Sequence, residues 1–367
     1  MFKSLAAKSR IVELPRTLSI THSTSPHHHL HHHHHRFTTL TSSTLTFTLI
    51  TPRHTFHNHT IIRSLNTTTT TKMPFETKST IRSFGGKLFK LSHDSSTTTT
   101  PMAVNLYLPP AALNTSSPSK VPLLIYLSGL TCTPENCSEK GFFQHRASQL
   151  GLAILYPDTS PRGLSLPGET ESWDFGAGAG FYVNAAREPW SSGYKMEEYV
   201  TSELPSLLLS DPEYAKYIDG SKISITGHSM GGHGALTLYL KNKGKYRSVS
   251  AFAPICNPSN CPWGEKAFKG YLGDDRKEWA KNDATELIKT DAWKGEQDAK
   301  ILVDVGTGDN FYKQGQLLPE NFEKAVEEAG VKGVKVRYQE GYDHSYYFMA
   351  SFADEHVDFA AKHLGLL

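Results

Sequence analysis

Short runs of apolar residues, each closed by glycine, proline or a polar cluster, alternate with longer stretches of helical spacing from about residue 84 to the end of the chain. Strand-like runs are expected at Lys87–Leu91 and Met102–Leu108, separated by the polar stretch 95–100 and ended by Pro109 and Pro110. Val121–Leu127 and Leu152–Tyr156 are apolar at almost every position, the pattern of strands covered on both faces rather than one. A helix is expected over Gln144–Leu150 and another over Tyr199–Ser210. Then come a strand over Lys222–Thr226, a helix continuing through Ala235–Leu240, and a strand at Ser248–Ala253. Helical pieces reach Ala292, followed by a strand at Ile301–Val305, a helix at Pro319–Ala329, a strand at Val334–Gln339 and a last helix at Phe348–His363. Buried strands alternating with helices define an α/β fold with a mostly parallel sheet and helices on both faces.

Two stretches break this alternation. Thr159–Tyr194 is rich in Gly, Pro, Ser and aromatic residues and keeps no period, and a loop of that length inside a compact domain is usually functional. Its Trp173, Phe175, Phe181, Tyr182 and Trp190 are costly to leave in water, so the loop is expected to wall a pocket, with Trp190 against the substrate. The second stretch is residues 1–72. It holds 12 of the 19 histidines, including His27–His29 and His31–His35, and long Ser/Thr tracts. A segment of this composition buries too little apolar surface to offset its ordering entropy, so it is expected to be a disordered extension, with residues 73–367 forming one domain.

Charge divides in the same way. The extension carries 8 of the 38 basic residues and only Glu13 of the 36 acidic ones, leaving the domain with 30 basic against 35 acidic residues. A domain at net −5 offers no basic face for nucleic acid, and no uninterrupted apolar run of 18 residues suits a membrane span. The basic, acid-poor start is compatible with a mitochondrial transit peptide; a cytoplasmic form starting at Met73 is the favoured reading, because Glu13 and the polyhistidine run fit an amphipathic presequence poorly. Cys132, Cys137, Cys256 and Cys261 lie in two C-x4-C pairs, neither a disulfide framework nor the C-x2-C spacing of zinc sites, and are read as free thiols. Neither a metal nor a cofactor is expected.

The chemistry centres on Gly227-His228-Ser229-Met230-Gly231, a G-x-S-x-G match lying between a strand pattern and a helix pattern. That context predicts a nucleophile elbow: the serine on a strained turn, glycines where a Cβ would clash, and a helix N-terminus aimed at developing negative charge. A serine hydroxyl needs a base, and the base a carboxylate, in the chain order Ser, acid, His. His344, His356 and His363 follow the elbow helix. His356 and His363 fall in the terminal helix, where solvated or helix-end roles suit them, whereas His344 lies in a loop after the last strand, so His344 is the expected base. Among Asp304, Asp309 and Asp343, Asp304 is within a strand and Asp343 is next to the base; Asp309, just past a strand end, is the expected acid, although a loop-capping carboxylate would look the same. Backbone N–H groups of Met230 and Leu130 are the expected oxyanion donors. Cys132, two residues beyond Leu130, is expected to face the acyl pocket.

These residues carry a family resemblance. Leu127–Thr133, Trp173–Gly176 with Gly178–Tyr182, Gly227–Leu236, Phe252–Pro258 with Cys261–Gly264, Gln316–Pro319 and Gly341–Phe348 together resemble S-formylglutathione hydrolase, the esterase D family, over essentially Phe84–Leu366. The resemblance implies an α/β-hydrolase fold and a cytosolic, homodimeric thioester hydrolase that releases formate from S-formylglutathione in formaldehyde detoxification. It assigns Ser229, Asp309 and His344 as nucleophile, acid and base, and Leu130 and Met230 as oxyanion donors. A general carboxylesterase for small acyl esters is the alternative activity, and a binding scaffold without turnover the alternative class.

Overall fold

The computed structural model describes residues 74–114, 116 and 119–367. The expectation of a disordered extension over 1–72, like the reading of Met73 as a start, lies outside the described residues. The described residues build one sheet of nine strands: β1 (Glu76–Ser83), β2 (Gly86–Asp94), β3 (Pro101–Leu108), β4 (Val121–Leu127), β5 (Ala153–Pro157), β6 (Ile218–His228), β7 (Val249–Phe252), β8 (Ile301–Gly306) and β9 (Val334–Gln339). Their spatial order is β1-β2-β3-β5-β4-β6-β7-β8-β9. Strands β1 to β3 pair antiparallel with one another and β3 antiparallel with β5, and all pairs from β5 to β9 are parallel. The sheet is therefore mostly parallel, as the alternation of apolar runs predicts.

Every residue of β4, β5, β7 and β8 is buried. Because side chains alternate across a strand, such burial requires cover on both faces. The helices are α1 (Pro134–Lys140), α2 (Phe143–Leu150), α3 (Met196–Glu198), α4 (Leu204–Ser210), α5 (Met230–Lys241), α6 (Pro262–Leu272), α7 (Arg276–Ala280), α8 (Ala284–Leu287), α9 (Asn310–Lys313), α10 (Pro319–Ala329) and α11 (Tyr346–Leu364), of which α1, α2, α4, α5, α10 and α11 pack on strands. Helix α5 packs on β4, β6 and β7 and is buried at every position but its last; α11 packs on β6, β7 and β8 and against α2. Pro122 sits in the central strand β4, where its missing N–H would break a ladder. The register slips at that point, Val121 facing Ile218 while Leu123 faces Ile223, so the irregularity absorbs the proline.

Several elements depart from the sequence reading. Strand β1 and helix α1 have no expected counterpart, and the helix expected over Tyr199–Ser210 opens as a π-helical turn, Tyr199–Glu203, before α4. His356, expected in solvent on the terminal helix, is fully buried and donates from Nε2 to Asp304 Oδ2 at 3.1 Å.

Four loops leave the carboxyl ends of the parallel strands β4, β6, β8 and β9, the edge at which open α/β sheets place their reactive groups. Leu127 of β4 pairs with Gly227 of β6, so the loop beginning at Ser128 starts beside the serine turn.

Candidate active site

Ser229 joins β6 to α5 with φ 58° and ψ −120°, a conformation that L-residues rarely adopt. Three backbone hydrogen bonds hold it there: its N–H donates to Phe252 O at 2.9 Å, and its carbonyl accepts from His233 N at 2.9 Å and Ile255 N at 3.3 Å. The flanking glycines are required by space. A Cβ on Gly227 would stand 2.2 Å from Gly231 O, and one on Gly231 would stand 2.1 Å from Leu127 O. The sharp turn thus presses the helix start against the end of β4, and only glycine permits the approach.

Asp309 and His344 meet across the ends of β8 and β9. The His344 Nδ1 to Asp309 Oδ2 separation is 2.5 Å, and the aspartate is fully buried. A carboxylate only accepts, so Nδ1 carries the proton and Nε2 keeps its lone pair, the tautomer a general base needs. The second oxygen of Asp309, Oδ1, accepts from Phe311 N at 2.7 Å and Tyr312 N at 3.4 Å, capping α9. The helix cap and the histidine contact, which the sequence presents as rivals for this carboxylate, coexist, one on each oxygen.

The imidazole of His344 faces the residue before the serine: the rings of His228 and His344 are 4.7 Å apart. Among the described residues no hydrogen bond joins Ser229 Oγ to His344, and catalytic hydrogen bonds commonly tighten only around substrate. His228 is held neutral, its pKa pushed well below the ordinary histidine value by burial and then by the neighbouring His344. His233, one turn into α5, donates from Nε2 to Phe181 O at 3.0 Å, and burial brings its pKa down to about 4.

The rival carboxylates are engaged elsewhere. Asp304 takes a two-pronged contact from Arg337 Nε and Nη2, both 2.5 Å, besides that from His356. Asp343 accepts from Ser345 N and Oγ at 3.0 and 2.6 Å, turned to its own loop.

Leu130 lies in the loop after β4, and an ideal Cβ on the adjacent Gly129 would be 3.1 Å from Ser229 Cβ. Met230 opens α5, so its N–H has no intrahelical acceptor. Cys132 is buried in the same loop, its Sγ 3.9 Å from Tyr346 OH, and burial raises its thiol pKa, the opposite of what an activated thiolate needs. All four cysteines are free.

Trp190, expected against the substrate, lies in an aromatic cluster. It is only 7% exposed, its ring packed by Phe175 and Tyr194 of the 159–194 loop and by Tyr271 of α6. The tryptophan joined to His344 is Trp263: its ring lies 4.7 Å from Phe311, which meets His344 edge-on at 4.8 Å, and Trp173, 55% exposed, caps Trp263 at 5.5 Å. Trp263 and Phe311 follow β7 and Asp309, respectively, and position after a parallel strand was the signal that could have marked both. Among the described residues no group of three or more His, Cys, Asp or Glu side chains is placed to hold a metal ion.

A strained serine on a strand–helix turn and a buried aspartate–histidine pair on later strand ends define a serine hydrolase of the α/β-hydrolase fold. A family model described as "Putative esterase" matches residues 95–359. The chain is 52% identical to the S-formylglutathione hydrolase of Rattus norvegicus over 281 residues, covering 77% of this chain and 95% of that protein. It is 48% identical to that of Saccharomyces cerevisiae, covering 77% and 97%. An S-formylglutathione hydrolase structure from Agrobacterium tumefaciens superposes with a TM-score of 0.73 at 44% identity, covering 79% of this chain and 99% of that one. The chain belongs to the S-formylglutathione hydrolase family of esterases.

Proposed function

We propose that this protein hydrolyses S-formylglutathione to glutathione and formate through a formyl-Ser229 intermediate. The observation that carries the reading is the 2.5 Å contact of Asp309 with His344 beside the strained serine, in a chain that matches its relatives over nearly their whole length. Ser229 Oγ attacks the thioester carbonyl as His344 Nε2 takes its proton. The carbonyl oxygen gains negative charge and is met by the N–H groups of Leu130 and Met230. Collapse expels the glutathione thiolate, which takes the proton from His344. Water, deprotonated by the same nitrogen, then attacks the formyl ester and releases formate and the serine. The sequence is redox-neutral and balances without a cofactor. A thiolate leaves readily, so deacylation weighs more in the rate.

The test compares kcat/KM for S-formylglutathione with those for S-acetylglutathione and short aryl esters. S-formylglutathione is expected to lead, and a preference for the aryl esters would replace this reading by a general carboxylesterase. A folded protein that an organophosphate fails to label at Ser229 would instead be a scaffold without turnover.

The same reading places the protein in formaldehyde detoxification, as a cytoplasmic homodimer. No helix among the described residues is long and apolar enough to cross a membrane. Sedimentation at micromolar concentration reads the dimer, and a reporter fused to residues 1–72 reads the compartment: import into mitochondria would overturn the cytoplasmic assignment.

A further inference from the structure

The N–H of Leu130 belongs to a loop with no regular secondary structure of its own. An oxyanion donor contributes only if it is fixed before charge develops, and small displacements of such groups are expensive in rate. Something outside the loop must therefore hold it.

The holding contacts come from residues 158–178. Thr131, with φ 66°, donates its N–H to Gly178 O at 2.9 Å. The approach is close, since a Cβ on Gly178 would lie 3.1 Å from Thr131 Cα. Cys132 N–H closes the turn on Gly129 O at 3.3 Å. The Cys132 carbonyl then accepts twice, from Thr159 Oγ1 at 2.7 Å and from Arg162 Nη2 at 3.0 Å, which fills both lone pairs.

Arg162 has little freedom in making that contact. Its Nε and Nη2 fork onto Asp158 Oδ2 and Oδ1 at 2.8 and 2.9 Å, and Asp158, the first residue after β5, is buried. Asp158 Oδ1 also accepts from Thr159 N at 2.7 Å. The end of a core strand thus fixes a carboxylate, the carboxylate fixes a guanidinium, and the guanidinium makes a charge-assisted bond to a loop carbonyl. Leu130 N–H is held between Gly129 on one side and the doubly anchored Cys132 on the other.

We propose that Arg162, locked by Asp158 and assisted by Thr159, is a positioning residue for the oxyanion site: its bond to the Cys132 carbonyl aims Leu130 N–H at the reacting oxygen. The inference rests on the reading of Ser229 as nucleophile and Leu130 as donor. Because the oxyanion exists only in the transition state, loss of aim lowers kcat and leaves KM alone.

The experiment uses the full chain, with R162M, R162K and T159V assayed on S-formylglutathione and on p-nitrophenyl acetate, which has no glutathione carboxylate. R162M is expected to lower kcat for both substrates by the same factor, about 10- to 100-fold, with KM within about twofold. R162K, which keeps a cationic donor, recovers part of the loss, and T159V shows a smaller loss of the same kind. A trifluoromethyl ketone that adds to the serine as a hemiketal alkoxide should bind more weakly in proportion to kcat. If R162M fails to fold, T159V reads the same carbonyl, and unchanged kcat and ketone affinity in T159V would then overturn the proposal. So would a folded R162M with the ketone affinity of the wild type. A loss confined to KM for S-formylglutathione would make Arg162 a substrate-carboxylate anchor instead and would equally overturn it. Wild-type protein that neither bound the ketone nor took an organophosphate would sink the serine-hydrolase reading itself, an outcome distinct from failure of the variants alone.

Discussion

Asp304 Oδ2 accepts from His356 Nε2 at 3.1 Å, giving the chain a second aspartate–histidine pair five residues upstream of Asp309. This pair faces the interior. The imidazole of His356 is stacked on Phe252 at 3.6 Å, and Arg337 neutralises the carboxylate from the other side. Residue chemistry alone does not separate the two pairs; their partners do.

Substitution should separate them cleanly. D309N is expected to lower kcat by about 10²- to 10⁴-fold at nearly unchanged Tm, because the amide leaves the ring in the wrong tautomer. D304N removes one partner of a buried ion pair and should instead cost about 3–5 kcal/mol of stability, with turnover of the folded protein close to wild type. Urea midpoints together with kcat decide. A larger kcat loss in D304N would transfer the role of acid.

In the proposed mechanism Ser229 and His344 act in one proton transfer, so their losses should not add. S229A and H344A are each expected to reduce kcat by at least about 10⁴-fold, and the double variant to be no slower than the worse of the two. Multiplying losses would mean that the two side chains serve separate steps.

The fit of Gly231 under the end of β4 gives a prediction about stability. In G231A the new Cβ meets Leu127 O and Ser128 O, at 2.1 and 2.5 Å before relaxation, and both are backbone atoms that cannot swing aside. Overpacking of this kind costs about 3 kcal/mol. A domain of this size should lose roughly 5 °C in Tm, and because Ser128 leads into the Leu130 loop, kcat should fall as well. A variant with wild-type Tm would show the elbow to be looser than described.

How much of this was legible depends on whether a residue's role is written in its local pattern. The nearly all-apolar runs that became β4 and β5 announced a sheet covered on both faces, and the glycines around Ser229 announced the turn. Strand β1 was invisible because its sequence, Glu-Thr-Lys-Ser-Thr-Ile-Arg-Ser, is exposed along almost its whole length and carries no buried face; it forms by pairing with β2. Helix α1, at seven residues, is too short to show a period and is started by Thr133, Pro134 and the Asn136 side chain. For Trp190 and Trp263 the difficulty was long-range. Trp190 lies in a Gly/Pro-rich loop and Trp263 in the first turn of α6, and only the tertiary path through Phe311 distinguishes the one beside His344.

Burial of His233 makes stability depend on pH in a stated direction. Its folded pKa is about 4 against an ordinary 6.5, the cause being burial, with the Nε2 bond to Phe181 O opposing it weakly. Below pH 6.5 the unfolded chain takes up a proton that the folded chain refuses, so the contribution is complete above 6.5, is lost as pH falls toward 4, and changes little further below. A fall from 6.5 to about 4 corresponds to about 3 kcal/mol. In H233Q the amide can keep the donor to Phe181 O and cannot titrate. Urea denaturation at a series of pH values between 6.5 and 4 should therefore show the wild type losing about 3 kcal/mol more than H233Q, the other buried histidines cancelling in the comparison. Parallel losses in the two proteins would mean that His233 accepts its proton while folded, and that the helix behind Ser229 is open to water.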